Sequence, residues 1–269
     1  DPDFFANAIG EVEASINAAV KNFPDIFYIR AIGVYGWQPS DEHLAEHIQS
    51  KGPLGSVYPN TIYVAEGDTP SFMHVYPNGL NDPEKVDQGG WGGRFSFKKI
   101  EGIRSMSEVA KIEEDGETKF DPYFMFGNTE EAAQAIKKWS EGYNNDFSAR
   151  MNWSITSNYE DANHHPIAVL NGDRTKNILY KTVKAGDVVI LSSNGSSDPD
   201  GDELKHDWSF YKEPSTYRGD VKIQNNKSEN VKVQIPMDAK GSDIHIVLQL
   251  FDNGEPNLLA YLRIAFKVD

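Results

Sequence analysis

Two kinds of hydrophobic periodicity divide the chain. Between Phe4 and Phe23, the residues Ile9, Val12, Ile16, Val20 and Phe23 recur at helical spacing, with Glu11, Glu13 and Asn17 between them. Pro24 blocks continuation of that helix. The run Ile26-Phe27-Tyr28-Ile29 that follows has the size of a buried strand. His43 to Ile48 fits a short helix and Thr61 to Ala65 a short strand. Residues 77–97 are rich in Gly, Asn, Asp and Pro, which marks a long loop of the kind that is functional or disordered. Asn128 then caps a helix, with Glu131 completing a capping box. Ala132, Ala135, Ile136, Trp139 and Tyr143 form its buried face. Helix alternating with strand predicts α/β layers.

The pattern changes at His164-His165-Pro166. Beyond it apolar residues alternate: Ile167 and Val169; Val188 and Ile190; Val231, Val233 and Ile235; Ile244, Ile246, Leu248 and Leu250; Leu262, Ile264 and Phe266. Short period-two runs separated by regular turns predict an all-β sandwich. Trp208 is the natural bulky plug between its two sheets. The expected boundaries are an α/β domain at residues 1–163 and an immunoglobulin-like sandwich at 164–269, meeting near residues 151 to 166.

Composition narrows the chemistry. Of 269 residues, 39% are hydrophobic and 12% aromatic, enough to fill real cores. The net charge of −15 repels phosphate backbones and anionic membranes, so neither nucleic acid nor membrane is an expected partner. No apolar run approaches the roughly 18 residues of a membrane span. With no cysteine there is no disulfide, thiolate metal site or cysteine nucleophile. The chain opens at Asp1 rather than Met, which reads as an internal or processed start.

Several motifs carry candidate chemistry. Asp198, Asp200 and Asp202, in Ser196-Ser197-Asp198-Pro199-Asp200-Gly201-Asp202-Glu203, offer oxygen ligands to Ca²⁺, or else form an Asx-rich turn between strands. Trp37, Tyr76, Asn78 and Trp91 lie in turn-rich stretches; exposed rings stack on sugar faces while amides take up hydroxyls. The alternative is that these rings cover the domain's own core. The glycines around Trp91 bring backbone close to a ligand or make tight turns. His43 and His47, at i and i+4 without an HExxH glutamate, read as surface or packing residues rather than metal ligands. His164 and His165 read as linker.

Two resemblances follow from these stretches. Ala185-Gly186-Asp187 through Asp198-Pro199-Asp200-Gly201-Asp202 to Trp208 resembles PKD-type and related immunoglobulin-like domains of exported polysaccharide-acting proteins. Phe23-Pro24-Asp25-Ile26, Gly52-Pro53-Leu54-Gly55, Glu66-Gly67-Asp68-Thr69-Pro70-Ser71-Phe72, Pro77-Asn78-Gly79-Leu80-Asn81-Asp82-Pro83 with Gly89-Gly90-Trp91-Gly92-Gly93-Arg94, and Ala149-Arg150-Met151-Asn152-Trp153 form a second set. Together they resemble the nucleoside-hydrolase-like family with a C-terminal immunoglobulin-like domain, often labelled cellulose-binding protein. The resemblance implies Rossmann-like α/β layers, of which this chain matches the C-terminal half. It implies that Asp68 completes a Ca²⁺ shell whose other aspartates lie in the family's first strand, absent here; Asp68 is alternatively a helix N-cap. Gly67 stands where typical nucleoside hydrolases carry a histidine that assists the leaving base. Two functions are therefore expected: Ca²⁺-dependent hydrolysis of a glycosidic bond, completed by the N-terminal half as a partner, or non-catalytic binding of a sugar such as cellulose. Either implies a periplasmic or secreted protein.

Overall fold

The computed structural model describes residues 28–29, 39–61, 69–94, 123–124 and 130–269. The helix expected at Phe4–Phe23, residues 62–65 of the expected strand and the cap at Asn128 lie outside them. Strands β1 (Tyr28–Ile29) and β2 (Tyr123–Phe124) pair in parallel, as an α/β layer requires. Helix α1 (Asp41–His43) is capped by the Ser40 hydroxyl, which accepts from His43 N at 3.2 Å, and runs on into a π-helical turn, Leu44–Gln49. That turn buries Leu44 and Ile48 against Met151. Two short helices follow, α2 (Gly52–Ser56) and α3 (Thr69–Val75). The helical face expected around Trp139 is present but broken: α4 (Glu130–Lys137) ends just before Trp139, and α5 (Ser140–Trp153) starts just after it. Ala135, Ile136, Trp139 and Tyr143 are all buried.

The sandwich follows. A four-stranded sheet runs β3 (Leu179–Val183), β9 (Leu259–Val268), β8 (Asp243–Phe251), β5 (Lys205–Phe210). It faces a three-stranded sheet of β4 (Val188–Ser192), β7 (Asn230–Gln234) and β6 (Lys222–Gln224). Only β3–β9 pair in parallel among these seven strands. Trp208 is buried between the sheets and donates its indole N–H to Ser228 O at 3.0 Å. Val231, Val233, Ile235, Ile244, Ile246, Leu248, Leu250, Leu262, Ile264 and Phe266 all point into the same core.

The parity expected for β4 is corrected. Val188 and Ile190 are exposed, and the inward residues are Val189 and Leu191. The run Val188-Val189-Ile190-Leu191 is apolar at both parities, so period two alone cannot choose. Register with β7 decides: Val189 lies opposite Val233 and Leu191 opposite Val231. Directly opposed residues share a face, so the inward valines of β7 draw these two in.

The sheet β3-β9-β8-β5 is covered on both sides. Its inner face meets the second sheet. Its outer face carries His245, Val247, Leu259, Tyr261 and Arg263, all buried. Over Val247, Leu259, Tyr261 and the adjoining Tyr211 pack Leu80, Trp91, Ile136, Trp139 and Tyr143. The helices and the 77–94 loop thus share one apolar core with the sandwich. Arg263 donates to Gln88 O at 2.7 Å and to Gln88 Oε1 at 2.9 Å, and burial lowers its guanidinium to about 10. Burial, with Arg263 nearby, pushes His245 down to about 3, so its ring is neutral.

Candidate functional site

A cleft of about 230 Å³ opens where this shared core reaches the surface. One wall is Tyr76, Asn78 and Trp91, from the end of α3 and the loop beyond it. Asp146 of α5 and His165 form the second, and Leu259 to Leu262 of β9 the third. Three residues expected to bind substrate therefore meet at one place, and Trp37 lies outside the described residues. Of the two readings of Trp91, the ring follows the core-covering one, being only 3% exposed. It stacks on Tyr76 (6.1 Å between ring centres) and meets Tyr143 and Tyr261 edge-on. The glycines explain why the ring is buried. A Cβ on Gly90 would come within 2.8 Å of the Asn81 side chain, and one on Gly89 within 2.3 Å of the Tyr211 hydroxyl. The loop packs too closely for side chains there. The accessible rings are Tyr76, half-buried, and Phe72, stacked on it and exposed. Asn78 is buried and makes an Asx turn, its Oδ1 accepting from Leu80 N at 3.0 Å.

Asp146 is the electrostatic centre of the site. Arg150, one turn on, donates Nε to Oδ2 at 2.7 Å and Nη2 to Oδ1 at 3.2 Å. The same Nη2 donates to the Tyr76 hydroxyl at 2.7 Å. His165 Nε2 lies 2.7 Å from Asp146 Oδ1, and its Nδ1 lies 2.9 Å from Leu259 O. Each ring nitrogen of His165 thus faces an oxygen acceptor, and the two contacts fix the ring between α5 and β9. Burial pushes the Asp146 carboxyl up, but hydrogen bonds from His165 and Arg150 outweigh it and hold the carboxyl below its usual range. Chemically this is a fixed carboxylate beside an aromatic ring, able to hold a polyhydroxylated ligand in one orientation.

The aspartate loop of the sandwich does not gather its carboxylates. Asp198 Oδ1 accepts from the backbone N–H of Asp200 (2.8 Å) and of Asp202 (3.3 Å), an Asx turn. Asp200 accepts from His164 N at 2.7 Å and faces its Nδ1 at 3.1 Å. Slight burial, then Asp198 and Asp200, raise Asp202. Among the described residues no group of three or more His, Asp or Glu side chains is placed to hold a metal ion. Asp68 lies outside the described residues. His43 and His47 stand with ring centres 4.7 Å apart beside a second, polar hollow, and Ser148 Oγ lies 3.2 Å from His43 Nε2.

Asp146, Arg150 and His165 are the site residues that sequence reasoning missed. The i,i+4 spacing of Asp146 and Arg150 is a legible ion-pair signal. Nothing in the sequence places His165 against them. His164 and His165 are more than linker: His164 stacks between Trp153 and Tyr159.

Two stretches of the chain match family models. Residues 8–95 match the family model described as "Cellulose-binding Sde182, nucleoside hydrolase-like domain". Residues 188–268 match "Cellulose-binding protein Sde0182, C-terminal domain". No curated protein matches the chain. Among solved structures, a nucleoside hydrolase-related hypothetical protein from Saccharophagus degradans, described as associated with carbohydrate metabolism, shares 50% identity at a TM-score of 0.83. The match covers 94% of this chain and 60% of that one. Two slighter similarities fall on part of the chain. One is a PKD domain (15% identity, TM-score 0.26, 34% of this chain and 81% of that one). The other is mouse cadherin-23 repeats EC22-24 (13% identity, TM-score 0.27, 39% and 33%). In both its α/β segment and its sandwich, this chain matches the nucleoside-hydrolase-like, cellulose-binding Sde182 family.

Proposed function

We propose that the chain is the carbohydrate-binding part of a nucleoside-hydrolase-like protein and holds a sugar or glycoside in the Tyr76 cleft. The observation that carries this is the convergence of the Tyr76 ring with Asn78 and the fixed Asp146 carboxylate. A ring supplies a stacking face, while carboxylate and amide supply directional hydroxyl contacts. Periplasmic or secreted placement goes with the cellulose-binding C-terminal domain, cellulose being a polymer met outside the cytoplasm. Among the described residues no helix is long and apolar enough to cross a membrane.

Hydrolysis of a glycosidic bond is the finer reading. It rests on the family match and on the Glu66-Gly67-Asp68-Thr69 motif. Ca²⁺ would supply a polarised water there, but the described residues hold no ligand set for it, since Ca²⁺ takes about six to eight oxygens. That activity therefore needs Asp68 together with the further carboxylates of a complete hydrolase-like domain. Sugar binding is testable on this chain directly. Calorimetric titration with cello-oligosaccharides should give measurable affinity, weakened about tenfold in Tyr76→Ala through loss of the stacking face. Equal affinity in parent and variant would remove the cleft from consideration.

A further inference from the structure

The cleft differs in charge from the molecule around it. The chain carries a net charge of −15, yet among the described residues Asp146 is the one carboxylate lining the cleft, beside the cations Arg174 and Lys176. Asp146 is already engaged by Arg150 and His165. Arg174 and Lys176 stand exposed at the rim and have no hydrogen-bond or ion-pair partner among the described residues.

The buried side of the cleft is rich in donors. Asn78 is more than nine-tenths buried, and with Oδ1 taken by Leu80 N its Nδ2 has no partner. The Trp91 indole N–H and the Tyr261 hydroxyl are buried beside each other, the indole directed at the phenol oxygen. Buried donors left unmade are costly, and such groups gather where a ligand completes them. A neutral sugar presents hydroxyls, each both donor and acceptor. A carboxylate presents acceptors only, and its planar pair of oxygens suits a guanidinium. Free cations at the rim, the unpartnered Asn78 amide behind them and a carboxylate already engaged by Arg150 and His165 complement an anion.

We infer that the cleft selects an acidic sugar, a saccharide carrying a uronic-acid carboxylate, with that carboxylate directed to Arg174 and Lys176. The inference rests on the sugar-binding reading and sharpens it. The overall negative charge does not oppose it, because salt screens charges beyond about 8–10 Å while rim contacts act within a few ångströms.

The test compares cellobiose with cellobiouronic acid, which differ by one carboxylate, titrated calorimetrically into the parent and into Arg174→Gln/Lys176→Gln. The acid should bind the parent about tenfold more tightly than cellobiose. That ratio should fall toward one in the double variant, and fall in the parent as salt is raised. Equal affinities in the parent, or a ratio that survives in the double variant, would overturn the acidic-sugar inference and leave sugar binding standing. Binding of neither disaccharide would overturn the sugar-binding reading, and this inference with it.

Discussion

Asp146 joins three separate pieces of chain. It sits on α5, takes Arg150 from the next turn, and reaches His165, which is itself tied to Leu259 O of β9. A buried carboxylate held by Arg150 and His165 contributes through charge-assisted hydrogen bonds, each worth about 1.5–3 kcal/mol. Asp146→Asn keeps the shape and removes the charge, so it should cost about 2–3 kcal/mol in stability. The pH dependence has a definite sign. The folded carboxyl lies below its ordinary value of 3.8. Its contribution is complete above that value and is lost as pH falls through the depressed folded one. Melting temperatures of parent and Asp146→Asn should differ most at neutral pH and converge as pH drops below about 4. A gap that stays constant into acid would show that the charge of Asp146 stabilises nothing.

Gly142 sets how closely α5 can approach β9. A Cβ there would lie 2.0 Å from the Tyr261 hydroxyl and 3.5 Å from the Trp91 ring. Both rings are buried and cannot swing aside. Glycine inside a helix is ordinarily a weakness, and alanine would gain about 1 kcal/mol. Here Gly142→Ala should instead destabilise by about 1–3 kcal/mol through overpacking. Tyr261→Phe should recover part of the loss by removing the oxygen. Urea denaturation of the two single variants and the double variant decides it; a gain in stability from Gly142→Ala alone would mean that helix and sheet do not touch here. Such contacts mark the limit of what the sequence reveals. The face Ala135, Ile136, Trp139 and Tyr143 was legible because one buried side leaves a 3.6-residue period. The inward residues of β7, β8 and β9 were legible for the same reason at period two. The outer face of β8 and β9 was not, because alternation assumes that one face is wet. The near-continuous Ile244-His245-Ile246-Val247-Leu248 was the available sign of a strand buried on both sides. At the site, Tyr76, Asn78 and Trp91 could be grouped because they share one loop region. Asp146 and His165 meet only through tertiary folding, across a helix end and a linker.

The contact between α/β segment and sandwich determines how the whole molecule should respond to being cut. Leu80, Trp91, Ile136, Trp139 and Tyr143 bury Tyr211, Val247, Leu259 and Tyr261. Polar ties surround that patch: Asn145 Nδ2 to Asn257 O at 3.0 Å, the Tyr180 hydroxyl to Asp82 at 2.9 Å, and Arg263 to Gln88. Linkers between independent domains cross few contacts, whereas here large aromatic side chains from both sides are buried together. Burying each such side chain contributes about 1.5–3 kcal/mol, so several together exceed what a loose domain contact supplies. A protease site placed at residues 156–158, in the exposed turn after α5, should therefore be cleaved without separating the products. The two pieces should co-elute on size exclusion and part only in denaturant. Residues 164–269 produced alone should keep β circular dichroism, because the inner core from Leu170 to Val268 is complete within them. With Tyr211, Val247 and Tyr261 uncovered, that fragment should bind a hydrophobic dye and self-associate. A monomeric, dye-free fragment, or pieces that drift apart after the cut, would show that the shared core contributes little to cohesion and that the two parts act as independent domains.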